Sequence, residues 1–289
     1  MIKKSLRRAV GSGLLLLGVV LVQPLSAASA VPSQIPLGTA GAFSVLAGSA
    51  VTNTGATVIS ADAGQGGNLG LSPGTAVTGF PPGIVTPPGT QHVTDAEAAQ
   101  AQADLTTAYN TAAGLPCDVD LTGQDLGGLT LTTGVYCFSS SAQLTGTLTL
   151  DAQGNPDAVF IFQIGSTLTT ASNSSVVLVN GAQACHVFWQ VGSSATLGSN
   201  TAFSGTVMAL ASITLVTGAD VEGRLLARNG AVTLDTNQIH TPACAPTSGV
   251  PAAPLFGGAG QGVAVGMFVV GAGLVLFLRR RTLLAATAR

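Results

Sequence analysis

The chain has 289 residues, only 8% of them charged, with ten Lys and Arg against twelve Asp and Glu. Lys3, Lys4, Arg7 and Arg8 stand at one end and Arg279, Arg280, Arg281 and Arg289 at the other, which leaves Arg224 and Arg228 to face all twelve acidic residues between them. That middle carries about −10 rather than the formal −2, a sign that excludes nucleic acid and anionic lipid, since both are held by basic side chains.

Residues 1–30 read as a secretory signal: the basic head, an apolar core from Leu14 to Val22, and Ala28-Ser29-Ala30 as a small-residue cleavage site. From Ile35 to Gly83 the chain is rich in Gly, Thr, Ser and Ala. Its apolar runs, Phe43-Ser44-Val45-Leu46 and Ala56-Thr57-Val58-Ile59, predict short strands of a coil, broken by glycines. Pro73-Gly74 and Phe80-Pro81-Pro82-Gly83 break that pattern. Thr94-Asp95-Ala96-Glu97 then fits a capping box with Thr94 as the cap, and Gly114 followed by Pro116 ends the helix. Its stripe of Ala101, Leu105, Ala108 and Ala112 is thin enough for close packing along a flat sheet, so the helix is expected to cover one side of a solenoid; a linker helix between two domains is the other reading.

From Cys117 to Cys244 one phrase recurs: Ser166-Thr167-Leu168, Ala195-Thr196-Leu197, Ile213-Thr214-Leu215 and Val232-Thr233-Leu234, with Thr130-Leu131 and Thr149-Leu150 upstream. Thr196 and Thr214 are 18 residues apart and Thr214 and Thr233 are 19, a period too short for helical hairpins and suited to one turn of a β-solenoid. Alternation puts Ala195, Ile213 and Val232 on the inner side with the leucines, and Thr196, Thr214 and Thr233 toward solvent. Asn200, Gly218 and Asn237 follow as residues that tolerate a left-handed corner, and beside them runs a second hydroxyl column of Thr170, Ser199, Thr217 and Thr236. Like residues on stacked coils recur about every 4.8 Å.

The four cysteines of an exported chain form two disulfides, for which sequence allows three pairings. Cys117 with Cys137 and Cys185 with Cys244 is favoured, because the first spans about one coil and the second ties the last coil back to the body. A Pro, Ala and Gly linker over 246–259 leads to 260–278, nineteen uncharged residues ending in arginines. That segment is expected to span a membrane as a single helix, with 279–289 cytoplasmic and the domain 31–245 outside the cell.

Catalysis has little to work with. His92, His186 and His240 are scattered, each expected in a loop or on the surface, and no metal site or cofactor is implied. Asp118-Val119-Asp120-Leu121-Thr122-Gly123 begins like a calcium loop, but Leu129 stands where a bidentate Glu belongs. Asp220, Glu222, Arg224 and Arg228 are expected as a solvated patch with ion pairs, and Trp189, inside an apolar run, as core.

Several stretches together resemble the microbial ice-binding protein family built on a discontinuous β-helix with a helix alongside. They are Leu37-Gly38-Thr39-Ala40 through Val51-Thr52-Asn53-Thr54-Gly55, Leu71 to Gly79, Gly134-Val135-Tyr136, and Asp157-Ala158-Val159-Phe160-Ile161-Phe162-Gln163-Ile164-Gly165, in order from about Pro36 to Thr241. The resemblance implies a mainly β fold, a right-handed interrupted solenoid of triangular section whose N-terminal strands supply part of one end. It also implies a Thr-(Ala/Gly)-x-(Thr/Asn) motif on an ice-facing side, matched in full at Thr54 to Thr57, Thr75 to Thr78 and Thr170 to Asn173. The expected ice-binding residues are therefore Thr54, Thr57, Thr75, Thr78, Thr170, Asn173, Thr196, Ser199, Thr214, Thr217, Thr233 and Thr236. The expected partner is an ice surface or its ordered water; a non-catalytic cell-surface adhesin or glycan-binding solenoid is the alternative.

Overall fold

Each repeat closes into three short strands separated by tight corners, and successive coils pair in parallel along the stack. One coil runs Gly134–Phe138, Ala142–Leu144 and Thr147–Asp151; the next runs Phe160–Ile164, Leu168–Thr170 and Ser175–Val179. The protein is seen here as a computed structural model, which describes residues 32–245. The expected signal segment, linker, membrane span and basic tail lie outside the described residues. Among the described residues no helix is long and apolar enough to cross a membrane.

The stack does not follow the chain. Phe43–Ala47, Ala50–Thr54 and Val58–Ala61 pair with Asp220–Ala227, Val232–Asp235 and Gln238–Thr241, so the first coil of the chain lies against the last. Asn68–Leu71, Ala76–Thr78 and Ile84–Val85 add one more layer, and Gln91–Val93 ends it. Helix α1, Ala96–Ala113, then carries the chain back: its 18 residues rise roughly 27 Å and deliver it to Val119–Asp120 at the opposite end of the stack.

The helix cap falls one residue later than expected. Asp95 Oδ1 accepts the Ala98 N–H at 2.8 Å, while Thr94 adopts φ 56° and turns its hydroxyl onto the Val93 carbonyl. A left-handed residue cannot serve as the extended cap, so its neighbour does. The end at Gly114 is as expected, and the stripe of Ala101, Leu105, Ala108 and Ala112 is fully buried. It packs on an outward apolar file of the sheet that includes Val135, Ile161, Phe188, Met208 and Leu226. Small side chains bring the helix close enough to cover that whole side.

Inside the coils, Tyr136, Phe162 and Trp189 occupy equivalent positions on successive strands. Their rings stack at 5.5 and 3.9 Å, an arrangement that contributes about 0.5–1.5 kcal/mol per pair beyond burial alone. Trp189 is core, as expected, and its Nε1 donates to the Ser204 carbonyl at 3.0 Å. In the long strands Ala202–Ala209 and Asp220–Ala227 the chain passes from one side to the next without a loop. It bends at Gly205 and Gly223, which pair with each other and take φ 115° and 154°; a Cβ on Gly205 would meet Trp189 and Val187, and one on Gly223 the Gly205 carbonyl. Both favoured disulfides are formed, Cys117 with Cys137 and Cys185 with Cys244.

Candidate functional site

Of the three sides of the coil, one is covered by α1. A second bears Asp220, Glu222, Gln238 and His240 on neighbouring positions and is chemically irregular. The third is the seven-stranded sheet through Ala142–Leu144, Leu168–Thr170, Ala195–Leu197, Ile213–Leu215, Val232–Asp235, Ala50–Thr54 and Ala76–Thr78. Its outward central row reads Gln143, Thr169, Thr196, Thr214, Thr233, Thr52 and Thr78, each paired in register with the next. All are exposed or half-buried, while their neighbours Ala195, Leu197, Ile213, Leu215, Val232 and Leu234 fill the core. Alternation on a pleated strand produces this division directly.

Two residues earlier on each strand, Ser141, Thr167, Ser194 and Ser212 give a second hydroxyl row, which Ala231, Ala50 and Ala76 complete. Thr167 Oγ1 donates to Ser141 Oγ at 2.8 Å and Thr52 Oγ1 to Thr233 Oγ1 at 3.2 Å, so the rows are braced from coil to coil. Neither row holds a charged side chain. The row on the other flank contains Asp235, which accepts a hydrogen bond from the Thr217 hydroxyl.

The twelve expected residues divide by position. Thr78, Thr196, Thr214 and Thr233 lie in the central row, and Thr54 and Thr75 are exposed on the same sheet or just before it. Asn173, Ser199, Thr217 and Thr236 are corner residues at one margin. Thr57 and Thr170 are buried, which removes them from the surface: the Thr57 hydroxyl accepts the Asn237 N–H, and Thr170 Oγ1 accepts the Gly198 N–H and meets Thr201 Oγ1 at 2.9 Å.

For Thr170 the reason is a shift of frame. Leu168, not Thr167, pairs with Ala195, so the surface equivalent of Thr196 is Thr169, and Thr170 points inward with Leu197. Thr130-Leu131 and Thr149-Leu150, the upstream copies of the phrase, belong to a different side of the coil. Thr52 is not marked by the repeat because its row neighbours, Thr233 and Thr78, are 181 and 26 residues away; the alternation in Ala50–Thr54 is its only local signal.

One corner also moves. Asn200 and Gly218 are left-handed as expected, at φ 55° and 73°, but in the next coil Thr236 takes that conformation at φ 54°. Asn237 is buried instead, its amide donating to the Val216 and Ala219 carbonyls and its oxygen accepting the Asp235 N–H. A side chain that satisfies three backbone groups holds the interior position, and the turn falls on its neighbour.

Among the described residues the remaining chemistry does not assemble into a reactive site. His186 is buried rather than superficial, with Nδ1 3.0 Å from the Pro156 carbonyl, and the two sulfurs beside it are joined in the disulfide. His240 stands between Ser60 Oγ at 3.1 Å and Asp62 at 3.2 Å, on the solvent side. The nearby Val58 and Asp62 N–H groups are engaged by the Asn237 and Thr241 carbonyls and leave no donors for an oxyanion. Asp118 and Asp120 accept backbone N–H groups of Val135 and Thr122. The expected solvated charge patch is also absent: Arg224 is buried without a carboxylate, and Arg228 lies 4.7 Å over the Tyr109 ring.

A parallel solenoid with one helix-backed side and one side bearing two uncharged, hydroxyl-lined rows is a scaffold for binding an extended surface. The chain belongs to the ice-binding-like family, whose profile matches residues 45–240. It is similar to the ice-binding protein of Nostoc sp. (strain HG1), 61% identical over 204 residues that cover 70% of this chain and 72% of that one. Two crystal structures share the fold. An ice binding protein from an Antarctic biological consortium superposes with a TM-score of 0.69 at 52% identity, covering 74% of this chain and 93% of that chain. An ice-binding protein from the Antarctic ascomycete Antarctomyces psychrotrophicus gives 0.68 at 44% identity, covering 72% and 98%.

Proposed function

We propose that this protein binds ice through the threonine row Thr169, Thr196, Thr214, Thr233, Thr52 and Thr78 and the hydroxyl row beside it. The observation that carries this reading is the register: like groups recur about every 4.8 Å along the stack and about every 6.6 Å along each strand, without a charge in either row. Methyl groups space a water layer while hydroxyls anchor it, and a charged side chain would impose its own hydration shell. Relatives named ice-binding proteins support the same reading. No chemical step is involved.

Thermal hysteresis and recrystallisation inhibition test it. Thr214→Tyr sets a ring in the centre of the row and is expected to abolish most hysteresis with stability unchanged within about 0.5 kcal/mol. Gln238→Tyr, on the irregular side, should leave hysteresis intact. Equal loss in both, or none in the parent, would return the protein to the glycan-binding alternative.

We propose further that the domain is exported and held at the cell surface by 260–278, with Arg279 to Arg281 inside; the support is the sequence of those segments. Protease added to intact cells is expected to release a fragment containing Trp189. Recovery of the domain from the culture medium without protease would reject the anchor.

A further inference from the structure

Arg224 is 6% exposed, on the strand Asp220–Ala227 beneath the N-terminal segment. Its Nε donates to the Gly41 carbonyl at 3.0 Å, and no other described residue accepts a hydrogen bond from it. The ion pairs among the described residues all involve histidine. Beside Arg224, in register on the next strand, Thr206 has a buried Oγ1 without a partner. The guanidinium lines a cavity of about 280 Å³, with Gln34, Leu37, Gln65, Phe188 and the Cys185–Cys244 bridge as other walls.

A cation largely withdrawn from water is favoured by a counter-ion. Burial draws Arg224 down to about 10, which still leaves it charged at neutral pH. All twelve Asp and Glu residues lie between Asp62 and Asp235, within the described residues, and none pairs with it. The segments outside the described residues contain no Asp or Glu.

We propose that this cavity binds a small monocarboxylate from solution, its oxygens held by the Arg224 fork and its short apolar tail against Leu37 and Phe188. A planar guanidinium matches a carboxylate in geometry, the side-chain amides of Gln34 and Gln65 in the lining are further donors, and a single positive charge suits a monovalent anion better than phosphate. Leu37 and Gln34 precede the first coil, Gln65 lies between two N-terminal coils, and the disulfide closes the last coil. The ligand therefore braces the junction at which the two halves of the chain meet.

The test is thermal unfolding of the full chain with butyrate or acetate, with butyramide and chloride as controls. Binding to the folded state alone is expected to raise Tm saturably, by roughly 5–10 °C at a hundredfold excess over Kd. Arg224→Gln should abolish the rise, and Arg224→Lys, which keeps the charge and loses the fork, should weaken it at least tenfold. Should Arg224→Gln not fold, line broadening of 13C-labelled butyrate on the wild-type protein, reversed by unlabelled acetate, gives the same answer. No saturable response in the wild type overturns the proposal. So does an equal response to chloride or to the amide.

Discussion

Thr236 holds a β-branched side chain at φ 54°, where Asn200 and Gly218 stand at the corresponding corners of earlier coils. Such a residue in the left-handed region is strained, because its Cβ crowds the backbone. Thr236→Asn is therefore expected to stabilise the fold by about 1 kcal/mol, read as a Tm rise of roughly 2–4 °C, without disturbing Asn237 behind it. A fall in Tm would mean that the contact of the Thr236 hydroxyl with Asp235 outweighs the strain. The same scale separates threonines that share a sequence context. Thr169 meets solvent while Thr170 satisfies the Gly198 N–H in the interior, so identical residues one step apart serve surface and core.

At the scale of elements, the two disulfides hold different things. Cys117–Cys137 spans 20 residues at the start of the stack, whereas Cys185–Cys244 spans 59 and ties the chain after its last coil to the body. Chain entropy in the unfolded state gives the longer loop the larger effect, about 4 kcal/mol against about 3. Replacing both cysteines of the longer bridge by Ala should lower Tm more than doing so at the shorter one, and calorimetry of the two double variants decides the order. The helix contributes by coverage, since its Ala and Leu stripe closes an apolar file that would otherwise face water.

The whole molecule depends on carboxylates that accept backbone N–H groups. Asp95 is held below the ordinary range by the Ala98 N–H, Asp104 by the Thr39 N–H and hydroxyl, and Asp120 by the Thr122 hydroxyl and N–H. At Asp125 burial pushes upward, but the Gly127 and Thr145 N–H groups outweigh it and the pKa is again lowered. A carboxylate lowered on folding adds stability that is fully present above its unfolded value near 3.8 and is lost as pH falls from there through the folded value. Urea midpoints should thus be level from neutral pH to about 5 and fall below about 4. Asp104→Asn should flatten part of that fall. A midpoint that already declines between pH 7 and 5 would reject these carboxylates as the cause.

The disulfide pairing was one favoured choice among three, while local information sufficed for the period of the coil, the inward Leu, Ile and Val positions, the helix with its Ala stripe and the outward Thr196, Thr214 and Thr233. Each of these follows from alternation, spacing or capping within a few dozen residues. Tertiary structure decided what depends on pairing between distant segments: that Ala50–Thr54 lies beside Val232–Asp235 and adds Thr52 to the row, and that Leu168 takes its register from Ala195. It also decided that Asn237 goes inward and Arg224 is enclosed. A strand's alternation says which residues share a side but not which partner lies across the ladder, because that is set by long-range packing of the coils and by where α1 returns the chain.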